Sequence, residues 1–128
     1  MSETQALRTA LLHLHRELLQ IQRLEAERFG GRMSAAETLQ AAAEDLRFSW
    51  LRTLSELVSE LDQARSAGDE RQIAVSAERV GALLDPPDPD SAFGARYLRA
   101  LQTHPEAVLA HRDVTAALAR WADSRRAT

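Results

Sequence analysis

The stretch FSWLRTLSELVSELD, residues 48 to 62, decides the fold class of this chain. Its large apolar residues recur at spacings of three and four, and they are Trp50, Leu54, Leu57 and Leu61. This spacing is the period of one face of an α-helix. Neither glycine nor proline interrupts the pattern before Gly68. The stretch therefore predicts a long amphipathic helix that packs against a core.

The same apolar face extends toward the amino end through Leu46 and Leu39. Ser34 and Glu37 have the spacing of a capping box, which predicts a helix start at that point. The pattern leaves open one long helix or two. We favour a break near Asp45, because the small residues of AAAED stand beside the bulky RFSWL.

The rest of the chain also has helical periodicity, and no segment alternates as a strand does. Ser2 begins the first helix, which ends at the glycine pair Gly30–Gly31. Asp69 and Ser91 are N-cap candidates for two later helices, and Pro105 suits the first turn of the last one. We therefore expect an all-α protein, a compact bundle of five to six helices.

Turn-forming residues divide the chain without splitting it into domains. The sequence DPPDPDS at residues 85–91 predicts an internal acidic, proline-rich loop. We expect residues 1–128 to form a single helical domain, with residues 124–128 as a frayed polar tail. Gly81 and Gly94 lie inside helical segments, where they either mark close helix approach or are simply tolerated.

Composition excludes several classes of function. The chain has 128 residues, a formal net charge of −3, no cysteine and no lysine. Thiolate metal sites, cysteine nucleophiles and lysine Schiff bases are therefore excluded. The missing basic excess argues against nucleic acid as a partner. No Gly-rich phosphate loop and no nucleophile–base–acid set is present, so we expect no enzymatic activity.

The amino end has no basic start followed by an apolar run, so we expect no signal peptide. No segment is apolar for long enough to predict a membrane span. The absence of cysteine fits a reducing cytoplasm, and the use of arginine alone with abundant alanine suggests a bacterium with a GC-rich genome. These features predict a cytoplasmic bacterial protein without membrane contact.

Two histidines fall on apolar helix faces and are the candidate site. On a helical wheel, His15 lies roughly 40° from Leu11 and inside the apolar arc, whereas His13 points to solvent. His111 lies on the apolar face of the last helix. The pair predicts either a metal or haem site, a pH-sensitive element, or two structural core histidines, and we favour the structural interpretation. Glu106 and Asp113 are the candidates for completing a metal site, but neither lies on the His111 face, and we expect no bound cofactor.

The aromatic residues allow two interpretations. They line either a ligand pocket or the core, and we favour the core because aromatic side chains dominate burial. The residues concerned are Phe48, Trp50, Phe93, Tyr97 and Trp121.

The apolar arc of the first helix is roughly 180° wide, which exceeds the stripe of a helix at the edge of a bundle. Leu12 and Leu19 supply the extra width. Either the helix is central and is covered on two sides by its own chain, or these leucines form the interface of a homodimer across a two-fold axis. Both interpretations stay open at the level of sequence.

The FSWLRTLSELVSELD block resembles a segment of small bacterial helical proteins that carry no assigned function, and so do LHRELL and YLRALQTHPEAVLAH. The resemblance covers about half of the chain, and Thr53 stands where we expect proline. It implies a shared all-α fold and no particular reaction. The leading hypothesis is a non-enzymatic intracellular protein that acts through protein–protein contact or self-association. The alternative is a metal or haem sensor built on His15 and His111.

Overall fold

The protein is all-helical. The computed structural model describes residues 2–127, and no strand occurs among them. There are six α-helices and one 3-10 helix (Leu46–Leu51), the α-helices being α1 (Glu3–Gly30), α2 (Ala35–Glu44), α3 (Arg52–Ala67), α4 (Glu70–Leu84), α5 (Ala92–Thr103) and α6 (Pro105–Arg126). The predicted fold class is therefore confirmed.

The helices start where the capping pattern predicts. At α2 the capping box is complete, because Ser34 Oγ accepts from the Glu37 N–H and the Glu37 carboxylate accepts from the Ser34 N–H. Ser2, Asp69 and Ser91 each accept one backbone N–H of the helix that follows. Each contact satisfies a donor that has no partner inside the helix.

A break separates α2 from the helix that follows, as expected near Asp45. The Asp45 carboxylate accepts from the backbone N–H of Arg47 at 2.8 Å and from its guanidinium at 2.7 Å. Asp45 is therefore the N-cap of the 3-10 helix. Leu39 and Leu46 are 68% and 86% exposed, so the prediction that they continue the buried face of α3 is wrong.

Helix α1 is the centre of the fold. It packs most extensively against α6, and it also contacts α3 and the 3-10 helix. Helix α4 lies beside α3 and α6, while α5 contacts the 3-10 helix and α6. One apolar core takes residues from every helix except α2, including the fully buried Leu7, Leu11, Leu14, Leu18, Leu54, Leu61, Val80, Leu84, Tyr97 and Val114.

The predicted loop at residues 85–91 is irregular, and it begins with a cis peptide bond between Asp85 and Pro86. The Asp88 carbonyl oxygen accepts from the backbone N–H and the hydroxyl of Ser91. A Cβ added to Gly94 would overlap that carbonyl, whereas a Cβ on Gly81 would meet open space. The close approach at Gly94 therefore involves the loop, and Gly81 is simply tolerated.

The carboxyl end of the chain remains helical. Helix α6 continues to Arg126, so residues 124–126 are helical, and the fraying expected for residues 124–128 stays a prediction. Arg125 donates to a Glu70 carboxylate oxygen at 2.7 Å, and its guanidinium lies 4.8 Å from the Trp121 ring centroid. Thr128, the end of the predicted tail, lies outside the described residues.

Candidate functional site

His15 lies on α1 and is partly buried. Burial lowers the pKa of its imidazole, because a buried site disfavours the charged form. Within residues 2–127, no hydrogen bond or ion pair engages this ring. His13, by contrast, is exposed as predicted, and its Nε2 lies 3.8 Å from a Glu17 carboxylate oxygen.

His111 lies on α6, where its Nδ1 is 2.6 Å from the hydroxyl oxygen of Tyr97. Tyr97 has no exposed surface, and burial, with a smaller effect of the Asp85 charge, raises the pKa of its phenol. Burial also lowers the pKa of His111, and Asp85 partly opposes this change. The phenol oxygen and Nδ1 therefore share one hydrogen bond, and the tautomer of the imidazole determines which of the two donates.

Among residues 2–127, the structure shows no complete set of metal ligands at the two histidines. The part of the chain that the structure describes contains no group of three or more His, Cys, Asp or Glu side chains arranged to hold a metal ion. Tyr97 occupies Nδ1 of His111, and Glu106, considered from the sequence as a ligand, lies 3.2 Å from Nδ1 of His104 instead. A metal or haem site at His15 and His111 stays a prediction.

An aromatic row runs from the 3-10 helix to α6. The ring centroids of Trp50 and Phe93 are 5.7 Å apart, those of Phe93 and Tyr97 are 5.2 Å apart, and those of Tyr97 and His111 are 5.6 Å apart. Trp50, Phe93 and Tyr97 are all buried. These aromatic residues are core anchors, as favoured from the sequence.

A buried hydrogen bond joins Trp50, the first residue of this row, to α1. The Trp50 Nε1–H donates to Gln22 Oε1 at 2.9 Å, and Gln22 is only 3% exposed. The sequence analysis missed this pair. The available signal is the position of Gln22, which lies about three helical turns after Leu11 and so falls inside the apolar arc of α1.

A cleft of about 330 Å³ lies beside this hydrogen bond, between α1, the 3-10 helix and α5. We call it the α1–α5 cleft. Ile21, Trp50 and Ala100 form its apolar wall. Three arginines also line it, and they are Arg28, Arg96 and Arg99. None of the three forms an ion pair with another residue of the described range 2–127. The cleft was not predicted, because its walls come from helices that are distant in sequence.

Leu12 and Leu19 are not among the large apolar side chains that remain exposed. Phe29 is 87% exposed and Leu109 is 58% exposed. Leu12 and Leu19 are half-buried, and Leu19 packs against the core. Helices α6 and α3 both contact α1, as a central helix requires, and the dimer interface at Leu12 and Leu19 stays a prediction.

No helix among residues 2–127 combines the length and the apolar character that a membrane crossing requires. Comparisons of the chain with protein-family models, with curated proteins and with solved structures gave no match.

Proposed function

We propose that this protein is a non-enzymatic assembly protein that associates with a second copy of itself through residues 29–46. One observation carries the proposal: three large apolar side chains on consecutive elements are 87%, 68% and 86% exposed. They are Phe29 on the last turn of α1, Leu39 on α2 and Leu46 at the start of the 3-10 helix. Large apolar side chains exposed on neighbouring elements are typical of an interaction surface.

Helix α2 is poorly covered by its own chain, which leaves a face for a partner. Its main contacts are with the 3-10 helix, and none of its residues belongs to the core. Within residues 29–46, Thr38 alone is buried. A specific interface takes roughly 20–30 residues from each partner, and this segment with its flanking turns approaches that number.

The charges of the segment favour a second copy as the occupant. Arg32 precedes α2, Glu44 ends it, and both side chains are exposed without an ion-pair partner among the described residues. A two-fold axis that sets two α2 helices antiparallel brings Arg32 of one copy toward Glu44 of the other. Such an arrangement is self-complementary, as an isologous interface requires.

The composition of α2 supports close packing in the same arrangement. Its sequence, AAETLQAAAE, is rich in alanine, and small side chains let two helices approach closely. The proposal places the assembly in the bacterial cytoplasm, a location supported by the absence of cysteine.

Sedimentation of the wild-type protein tests the proposal directly. We expect a dimer at micromolar concentration, and we expect the Leu39→Glu, Leu46→Glu double variant to be a monomer with an unchanged circular-dichroism melt at low concentration. Both leucines are exposed, so the substitutions do not place a charge in the core. Leu109→Glu is the matched control, because Leu109 is an exposed leucine on α6, and this variant should remain a dimer.

A wild-type protein that stays monomeric at high micromolar concentration contradicts the proposal. Dissociation by Leu109→Glu with no effect of the double variant also contradicts it. A Leu12→Glu, Leu19→Glu variant tests the contact expected from the sequence. Because both side chains are half-buried, we expect this variant to lose stability instead of dissociating.

A further inference from the structure

The α1–α5 cleft gathers three cations that the protein does not neutralise. Arg96 and Arg99 are three residues apart on α5 and therefore share a face, while Arg28 reaches the cleft from α1. Their guanidinium groups have no carboxylate within ion-pair distance in the described part of the chain. Among the described residues, Arg8 and Arg79 form ion pairs, whereas Arg32 and Arg71 are unpaired as the cleft arginines are, but neither of these two lines the cleft.

The positive charge of the cleft is a local property. The whole chain has a net charge of −3. The residues that line the cleft, by contrast, include three arginines and one acidic residue, Glu25. His104 also lines it, and its Nδ1 lies 3.2 Å from a Glu106 carboxylate oxygen. A concave surface that carries an excess of one charge concentrates ligands of the opposite charge.

Part of the lining of the cleft is apolar. The indole N–H of Trp50 is already donated to Gln22, so the ring offers the cleft an apolar surface and no free donor. Ile21 and Ala100 extend this wall. The cleft therefore places apolar surface beside guanidinium groups, a combination that suits an amphipathic ligand.

We propose that the α1–α5 cleft binds a small organic anion, with a carboxylate or phosphate group at the arginines and an apolar body against Trp50. The guanidinium fork matches the two oxygens of either head group, and charge-assisted hydrogen bonds of this kind are strong. The volume of about 330 Å³ lies at the lower end of the range of small-molecule sites. This inference does not depend on the dimer, because it uses none of the residues between 29 and 46.

Four probes separate the parts of this proposal. Phenylphosphate and benzoate carry the two candidate head groups on one apolar body, inorganic phosphate has no apolar body, and benzyl alcohol has no charge. Binding is followed by calorimetry and by the NMR signal of the Trp50 indole N–H, which is assigned by comparison with a Trp121→Phe variant. We expect phenylphosphate or benzoate to bind at least about tenfold more tightly than inorganic phosphate and benzyl alcohol.

Substitution of the arginines tests the location of the site. The Arg96→Gln, Arg99→Gln variant should lose about tenfold or more of the affinity for the organic anion. Arg71→Gln is the matched control, because Arg71 is an exposed arginine on α4 and does not line the cleft. It should bind as the wild type does. A circular-dichroism melt of each variant checks that the fold is retained.

Several results overturn the proposal. Equal binding of inorganic phosphate and phenylphosphate identifies an adventitious ion only. Equal binding of benzyl alcohol shows an apolar cleft without anion recognition. Failure of both organic anions to bind at millimolar concentration, or an unchanged affinity in the Arg96→Gln, Arg99→Gln variant, excludes the site. Capture of an acidic peptide with no binding of either organic anion assigns the arginines to a protein partner instead.

Discussion

Trp50 and Gln22 form a buried hydrogen bond of 2.9 Å between the 3-10 helix and α1. It is the only side-chain hydrogen bond between residues 2 and 127 in which both partners are buried in the core region. Its donor also begins the aromatic row that reaches His111. The bond therefore fixes the orientation of the ring that forms one wall of the α1–α5 cleft.

Replacing Gln22 by leucine should destabilise the protein by about 1–3 kcal/mol, because the Trp50 N–H is left buried without an acceptor. Urea unfolding followed by tryptophan fluorescence measures the change. Gln63→Leu is the control, since Gln63 is exposed on α3 and its side chain makes no hydrogen bond within residues 2–127. Equal stability of the two variants contradicts the assigned role of Gln22.

Two leucines of contrasting exposure test the boundary of the core. Leu54→Ala should cost about 2–5 kcal/mol, because Leu54 has no exposed surface and its truncation leaves a cavity. Leu39→Ala, at a position 68% exposed, should change the stability of the monomer by no more than about 0.5 kcal/mol. Circular-dichroism melts at low protein concentration measure both. A larger loss from Leu39→Ala would place α2 in the core.

Gly94→Ala should destabilise the protein by about 1–3 kcal/mol, because the new methyl group overlaps the Asp88 carbonyl and forces the loop to shift. Gly81→Ala, within α4, should change the stability of the protein in the opposite direction. No atom lies near the added methyl group, so the better helix propensity of alanine should stabilise the protein by up to about 1 kcal/mol. Thermal melts in which both variants shift in the same direction contradict the packing at Gly94.

Acid should weaken the fold through His15 and His111. Burial lowers both pKa values below 6.5, the value expected in the unfolded chain. Above pH 6.5 the two imidazoles are neutral in both the folded and the unfolded chain, so their protonation does not reduce the free energy of unfolding. Below it the unfolded chain binds protons first, so the free energy of unfolding falls until the pH drops below the folded pKa values.

Urea titrations at roughly pH 7.5 and pH 5.5 measure this effect, because the two conditions bracket the expected titration of the unfolded chain. The loss of stability between them should shrink in a His15→Gln, His111→Gln variant. A His13→Gln variant, altered at an exposed position, should behave as the wild type does. If the double variant keeps the full pH dependence, other groups carry it.

Local patterns account for the parts of the fold that the sequence predicts well. The caps at Ser34, Asp69 and Ser91 and the break near Asp45 depend on residues within a few positions of each other. The same is true of the irregular loop at residues 85–91. Helical periodicity likewise identifies the buried faces of α1 and α3.

Features that depend on helix neighbours were not predictable in the same way. Leu39 and Leu46 have helical spacing relative to α3, but the break at Asp45 turns them toward solvent. The sequence favours a core position for both Tyr97 and His111. The pattern of neither helix predicts the hydrogen bond between their side chains. The α1–α5 cleft depends on the spacing between two helices, which the periodicity of one helix does not encode.

The limited attachment of α2 has a consequence for local unfolding. A helix held mainly by one neighbour opens at a lower free energy than the core, so its amide hydrogens should exchange with solvent long before those of α1 and α6. If α2 also forms the contact between two copies, dimerisation suppresses this local unfolding of α2. Hydrogen exchange in α2 should then slow as protein concentration rises, while exchange in the core stays constant. Assembly would therefore determine how often this one helix unfolds locally.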